Sequence, residues 1–160
     1  MLHNTQDANR APESDAAAEV QRAFQLARNI QRFHMDGHGW SDTGQHFTVS
    51  RGGIITEGRH GSLAAARRGE VVRGAHAGDT TFNNEWFGIE IEGDFRKDFA
   101  ITPQQLDAVL SLCAWLRAKG GFGADKLIGH KQIQAGHTDC PGTLTVYLDS
   151  LRSEVTRRIA

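Results

Sequence analysis

Apolar residues recur along this chain with two different periods. From Ser14 to Met35 ("SDAAAEVQRAFQLARNIQRFHM"), Ala17, Val20, Phe24, Ala27 and Ile30 fall three or four positions apart, the spacing that lines one face of an α-helix. Ser14 suits the N-cap of that helix and "DGHG" suits its stop. "QHFTVS" and "GIITEG" are β-rich runs on either side of Arg51-Gly52-Gly53, and together they predict a hairpin. "VVRGAHA" and "WFGIEIEG" predict two further strands. Thr102 then caps a second helix, with Pro103 at its first position and Gln105 where a capping box needs it. Leu106, Val109, Leu110, Cys113 and Leu116 form its apolar stripe, and Gly120-Gly121 ends it. A last helix, from about Leu144 to Ile159, carries Leu144, Tyr147, Leu148, Leu151 and Val155 on one face.

This order of helix, strands, helix and helix implies an α/β or α+β layer protein, a mixed sheet covered by helices with its chemistry on strand ends and loops. The 160 residues, 39% apolar and 23% charged, suit one domain with one core. There is no internal repeat, low-complexity segment or linker. Eighteen basic against nineteen acidic residues, with no long basic run, leave no field to hold a phosphate backbone, which argues against nucleic acid. No apolar stretch approaches the roughly 18 to 20 residues that span a bilayer, and no basic-then-apolar signal opens the chain. The expectation is a soluble monomer that does not insert into membranes.

Two cysteines lie in unlike settings. Cys113 sits in the apolar run "AVLSLCAWL" and reads as core, whereas Cys140 sits in a polar loop and reads as chemistry. His130 follows "KLIG" at a strand or loop edge. Cys140 comes ten residues later with the turn-forming Pro141-Gly142 behind it, so one loop can bring imidazole and thiol together. Zinc binds both, and a catalytic zinc site keeps three protein ligands and one open position. His3, after an apolar stub, is the candidate third ligand. A general base is also required, and "FGIEIEG" offers Glu90 and Glu92 on one face of a strand, either of which fits.

The strings "HMDGHGWSDTGQHFTVSRGGIITEGRHGSL" (34–63), "GAHA" (74–77), "FGIEIEG" (87–93), "IGHKQ" (128–132) and "TDCPG" (138–142) resemble the zinc-dependent N-acetylmuramoyl-L-alanine amidases. That family includes amidase-type phage lysozymes, cell-wall recycling amidases and animal peptidoglycan recognition proteins. The resemblance covers nearly the whole chain. It implies a mainly five- to six-stranded mixed sheet flanked by helices, with residues 1–160 as one amidase catalytic domain. It assigns one zinc ion to His3, His130 and Cys140, and makes Glu90 the carboxylate that takes a proton from the zinc-activated water. Thr138 stands where several members carry a lysine that steadies the oxyanion, and Gln45 where phage members carry a tyrosine; Gln45, His46 and His137 remain alternatives for transition-state support. Trp40, Gln45, Arg59, His76, Asn83 and Asn84 fall where the family lines its substrate groove. Only Met1 and Leu2 precede His3, where the family builds a full strand, which implies an excised piece or a shortened first strand.

The implied activity is hydrolysis of the amide between N-acetylmuramic acid and L-alanine, in peptidoglycan or a released muropeptide. The rival is a recognition domain that binds peptidoglycan without cutting it; loss of a zinc ligand, often the cysteine, marks that branch, and Cys140 is present. Either way the partner is the bacterial wall or its fragments, and a phage endolysin, a secreted competitor and a recycling enzyme would share these motifs.

Overall fold

The computed structural model describes residues 1–133 and 136–159. Its centre is four three-residue strands, β1 (Leu2–Asn4), β2 (Phe47–Val49), β3 (Ile55–Glu57) and β4 (Ile89–Ile91), in the order β1-β4-β2-β3. β4 pairs in parallel with both β1 and β2, and β2 pairs antiparallel with β3. The hairpin expected around Arg51 is this last pair. Gly53 N–H bonds to the Ser50 carbonyl, and Ser50 N–H to that of Ile54.

The sheet is smaller than expected, with four strands among the described residues rather than five or six. "VVRGAHA" stays irregular because its backbone groups are taken by loops and a side chain: Gly74 N–H bonds to Asn83 O, Ala75 N–H to Gly44 O, and the Val72 carbonyl meets His46 Nε2. Beside β1, the 128–129 segment makes a single bridge from Gly129 to Leu2 before a 3₁₀ turn, His130–Gln132, carries the chain away.

Among the described residues five α-helices flank the sheet: α1 (Ala16–Arg32), α2 (Ser62–Arg67), α3 (Thr80–Glu85), α4 (Pro103–Gly120) and α5 (Leu148–Arg157). α4 is capped by Thr102, whose hydroxyl accepts from Gln105 N, and closes at Gly121 in the left-handed conformation. It is buried over more of its circumference than the predicted stripe. Ala108, Leu112 and Ala114 join Val109, Leu110, Cys113 and Leu116 in the core, while Leu106 packs at its margin. Leu2, Phe47, Val49, Ile89 and Ile91 meet these residues from the sheet, and Leu144, Leu148, Leu151 and Val155 from the C-terminal segment. That segment begins as a 3₁₀ turn, Gly142–Tyr147, ahead of α5. Tyr147 therefore turns outward and packs against Phe99 in a tilted pair, with ring centroids 4.0 Å apart.

α1 presents a different face from the one predicted. Glu19, Ala23 and Leu26 are buried, while Val20 and Phe24 are 38% and 51% exposed. The N-cap is Asp15, one residue beyond Ser14, and after Arg32 the helix passes into a π turn, Phe33–Gly37, before stopping. The rotation follows from Glu19, whose carboxylate accepts from Ser50 Oγ at 2.8 Å, Gly52 N at 3.0 Å and Glu13 N at 2.9 Å. Those bonds fasten α1 to the hairpin turn through a polar residue. No helix among the described residues is long and apolar enough to cross a membrane.

Candidate metal centre

Alternation along the strands separates two chemistries. Leu2, Phe47, Ile89 and Ile91 point into the core, so His3, Glu90 and Thr48, which align across β1, β4 and β2, point to the opposite face. His130 begins the 3₁₀ turn just after the bridge from Gly129 to Leu2. The Cys140 loop is tied to that turn by Lys131 N–H donating to Cys140 O at 2.7 Å. Gly142 has φ +68°, and a Cβ there would lie 2.1 Å from Phe95 O, so the residue after Pro141 must be glycine for this loop to close.

The three side chains converge. One ligand atom from each of His3, His130 and Cys140 lies within 4.8 Å of the others, the two imidazole centroids are 4.6 Å apart, and Cys140 Sγ is 3.7 Å from His3 Nδ1. Asn4 N–H points at the same sulfur from 3.4 Å. Burial pushes the Cys140 thiol up to about 12, with the nearby Glu90 carboxylate adding to the rise and the Asn4 N–H opposing it. Burial holds His3 well below the usual imidazole range, helped by His76 and His130. Glu90 is partly open to solvent by area, yet the protein around it pushes its pKa up to about 8, with Asp7 repelling the charged form as well. The His3 imidazole, the Cys140 thiol and the Glu90 carboxyl, each favoured in its uncharged form, suit with His130 a soft dication, which would favour the thiolate and the carboxylate in return.

The structure separates the other candidates. Thr138 lies in the ligand loop, where its hydroxyl accepts from Cys140 N at 3.1 Å. Gln45 is fully buried, with Nε2 donating to Thr48 Oγ1 at 3.1 Å. Trp40 is exposed just beyond the π turn that follows α1, and His34 and His38, 6.0 Å from each other, both stack against it at centroid distances of 4.8 and 5.0 Å. Arg59 donates to Thr43 O at 2.8 Å. His76 contacts His3 itself, Nδ1 to Nε2 at 3.1 Å. Asn83 turns its Oδ1 back to accept from the backbone of His76 and Ala77 at 2.8 and 2.9 Å. Asn84 is exposed.

The two glutamates of "FGIEIEG" part company. Glu92, just past β4 and 1% exposed, is held by Arg10 Nε at 3.1 Å, by Arg22 Nη2 and by Arg51 N at 2.9 Å. Gln105 completes this network from α4. It donates to Glu92 O at 2.8 Å and Val49 O at 3.2 Å and accepts from Arg51 Nη1 at 3.2 Å, so its side chain serves the sheet rather than the expected capping box. Sequence reasoning missed this network, because arginines at 10, 22 and 51 carry no spacing signal for a glutamate at 92. His46, one of three alternatives for transition-state support, has both ring nitrogens engaged as a tie between loops: Nδ1 accepts from Gly88 N at 2.8 Å, and Nε2 donates to Val72 O at 2.7 Å.

A mixed sheet flanked by helices, carrying two histidines and a cysteine on its polar face, defines a class, and comparison with known proteins identifies it. The family model for N-acetylmuramoyl-L-alanine amidase matches residues 1–143, and the chain belongs to that family. Among curated proteins it is 37% identical over 116 residues to peptidoglycan-recognition protein LB of Drosophila melanogaster, covering 72% of this chain and 44% of the relative. It is 32% identical over 117 residues to the N-acetylmuramoyl-L-alanine amidase of Sus scrofa, covering 72% and 17%. The chain spans about half the length of the first curated relatives it matches. Of solved structures, wild-type Drosophila PGRP-LB aligns with a TM-score of 0.71 at 30% identity, covering 93% of this chain and 77% of that one. The amidase LysC from Clostridium intestinale aligns with a TM-score of 0.69 at 26% identity, covering 97% and 82%.

Proposed function

We propose that this chain is a zinc-dependent hydrolase that cuts the amide between N-acetylmuramic acid and L-alanine in peptidoglycan or a muropeptide. The observation that carries the reading is the convergence of His3, His130 and Cys140 within 4.8 Å, with Glu90 paired beside His3 on the next strand. These residues would hold the metal, and zinc bound there supplies a Lewis acid and acidifies water to a pKa of roughly 7. Glu90, whose surroundings raise its proton affinity to near neutrality, takes a proton from the attacking water and returns it to the leaving nitrogen. Thr138 accepts from Cys140 N through its oxygen, which leaves its hydroxyl hydrogen to donate to the developing oxyanion. Trp40, the aromatic platform just beyond the π turn that follows α1, and exposed Asn84 offer surface to sugar and peptide. A Drosophila PGRP-LB variant has been solved in complex with tracheal cytotoxin, which supports a muropeptide as ligand.

Several relatives bear the name of recognition proteins. A complete ligand set with an adjacent carboxylate supports hydrolysis over recognition alone. The test is release of stem peptide from purified peptidoglycan, with new ends identified by mass spectrometry for untreated, chelated and zinc-restored protein. Zinc-dependent L-alanine amino termini without new reducing sugars are expected. Bound zinc and measurable muropeptide binding without any product would sink the hydrolase and leave the recognition module. Cys140→Ser is expected to lose zinc and turnover together.

A further inference from the structure

His76 touches His3 on the side away from the sulfur, and the direction of each hydrogen bond there can be deduced. The Trp86 carbonyl lies 2.9 Å from His76 Nε2 and can only accept, so Nε2 carries the hydrogen. Among the described residues no carboxylate bonds to this ring, and a ring packed this closely against the Gly74 and Gly88 backbone has no counter-charge to hold a second proton. His76 Nδ1 then has a lone pair and faces His3 Nε2 at 3.1 Å, so His3 must donate from Nε2. A neutral His3 with its hydrogen on Nε2 leaves Nδ1 bare. Nδ1 is the nitrogen that faces Cys140 Sγ at 3.7 Å.

The His76 ring has little freedom to do anything else. A Cβ on Gly88 would lie 2.5 Å from its Cγ, and one on Gly74 would lie 2.8 Å from its Cδ2, so the ring fills a slot between two backbone segments that only glycine leaves open. Asn83 Oδ1 clamps the backbone on either side of the His76 carbonyl. His46 holds Gly88 in place through the Gly88 N–H. This is an orienting shell around one donor atom.

We infer that His76 is a positioning residue which, through the order Trp86 carbonyl, His76, His3, fixes the tautomer of His3 so that Nδ1 is the metal-binding nitrogen. This role behind the ligand is separate from the place in the substrate groove that the family resemblance implies for it. The inference rests on the zinc reading above for its purpose, but the tautomer itself belongs to the metal-free protein. Outer-shell partners of ligating histidines are worth about 10- to 100-fold in metal affinity.

The first measurement is the protonation pattern of His3 and His76 in metal-free wild-type protein by long-range ¹H–¹⁵N correlation, and the second is zinc affinity by chelator competition. Both rings are expected as Nε2–H tautomers. His76→Phe, which cannot accept, is expected to leave His3 in mixed tautomers and to weaken zinc about 10- to 100-fold. His76→Gln, whose carbonyl can accept from His3 and whose amide can donate to Trp86, is expected to recover affinity to within a few-fold of wild type. That rescue separates positioning from mere space-filling, and it stands even where His76→Phe fails to fold. A hydrogen on His3 Nδ1 in the wild type would overturn the inference, as would a folded His76→Phe protein with unchanged affinity or a folded His76→Gln protein with none. Correct tautomers with no zinc binding by the wild type would instead bring down the metal reading and with it the purpose assigned to His76.

Discussion

Glu90 and Glu92 are two residues apart and meet opposite fates. Glu90 stands in the polar row beside His3 with a raised pKa, whereas Glu92 is sealed among Arg10, Arg22 and the Arg51 N–H. Glu90→Gln is therefore expected to keep the fold and zinc content while losing about 10²- to 10⁴-fold in turnover, measured on muropeptide. Glu92→Gln is expected to lower stability by about 2 kcal/mol in urea unfolding with zinc content unchanged. That is below the range of about 3–5 for breaking a buried pair, because Arg10 and Arg22 are about a quarter exposed and water screens part of the loss. The reverse pattern would move the base from Glu90 to Glu92. His46 gives a pH test. Burial lowers its pKa to about 4 from 6.5, so the unfolded chain binds the proton first and stability is lost as pH falls from 6.5 towards 4. Its share between pH 7 and pH 5 is about 2 kcal/mol. His46→Gln, which can make both hydrogen bonds of the ring, is expected to flatten the pH dependence of the urea midpoint over that window.

Helix α1 shows where a periodic pattern misleads. Val20 and Phe24 have the spacing of a buried stripe, yet Leu26, on the neighbouring face, is the side chain at 7% exposure. Leu26→Ala is expected to cost about 2–4 kcal/mol and Phe24→Ala less than about 0.5, measured by equilibrium unfolding; equal costs would restore the predicted face. On α4, Gln105 joins helix to sheet from a fully buried position. Replacing it with leucine would strip Val49 O, Glu92 O and the Arg51 guanidinium of a partner, so Gln105→Leu is expected to cost about 2–4 kcal/mol despite its similar volume. Thr102→Ala removes one capping bond and is expected to cost about 1 kcal/mol.

At the scale of the whole molecule, the ligands come from β1, the turn at His130 and the loop at Cys140, so a bound ion would cross-link the first residues to the last third of the chain. Zinc at 100 times its dissociation constant would add about 2.7 kcal/mol of stability, or about 5–10 °C in midpoint for a domain of this size. Chelation is expected to lower the thermal midpoint by that amount in the wild type and to leave Cys140→Ser unmoved. An equal shift in both would place the ion elsewhere.

Local chemistry was legible without coordinates. The Arg51 hairpin, the Thr102 cap, the Gly121 stop, the core place of Cys113 and the run of β4 all depend on residues within a few positions of one another, and short-range sterics and hydrogen bonds dictate them. His130 and Cys140 were legible as candidate ligands, since imidazole and thiol beside a forced turn narrow the chemistry, whereas His3 was named firmly only through the family resemblance. What sequence could not supply was any relation across long separations: which face of α1 is buried, that residues 71–77 find loop partners rather than a strand, that Glu92 answers to three distant arginines, and that His76 stands behind His3. Each of these depends on which groups compete for the same buried hydrogen bonds once the sheet has formed. That competition is settled only when the whole chain is packed, because a buried polar group must find its partner wherever in the sequence that partner lies.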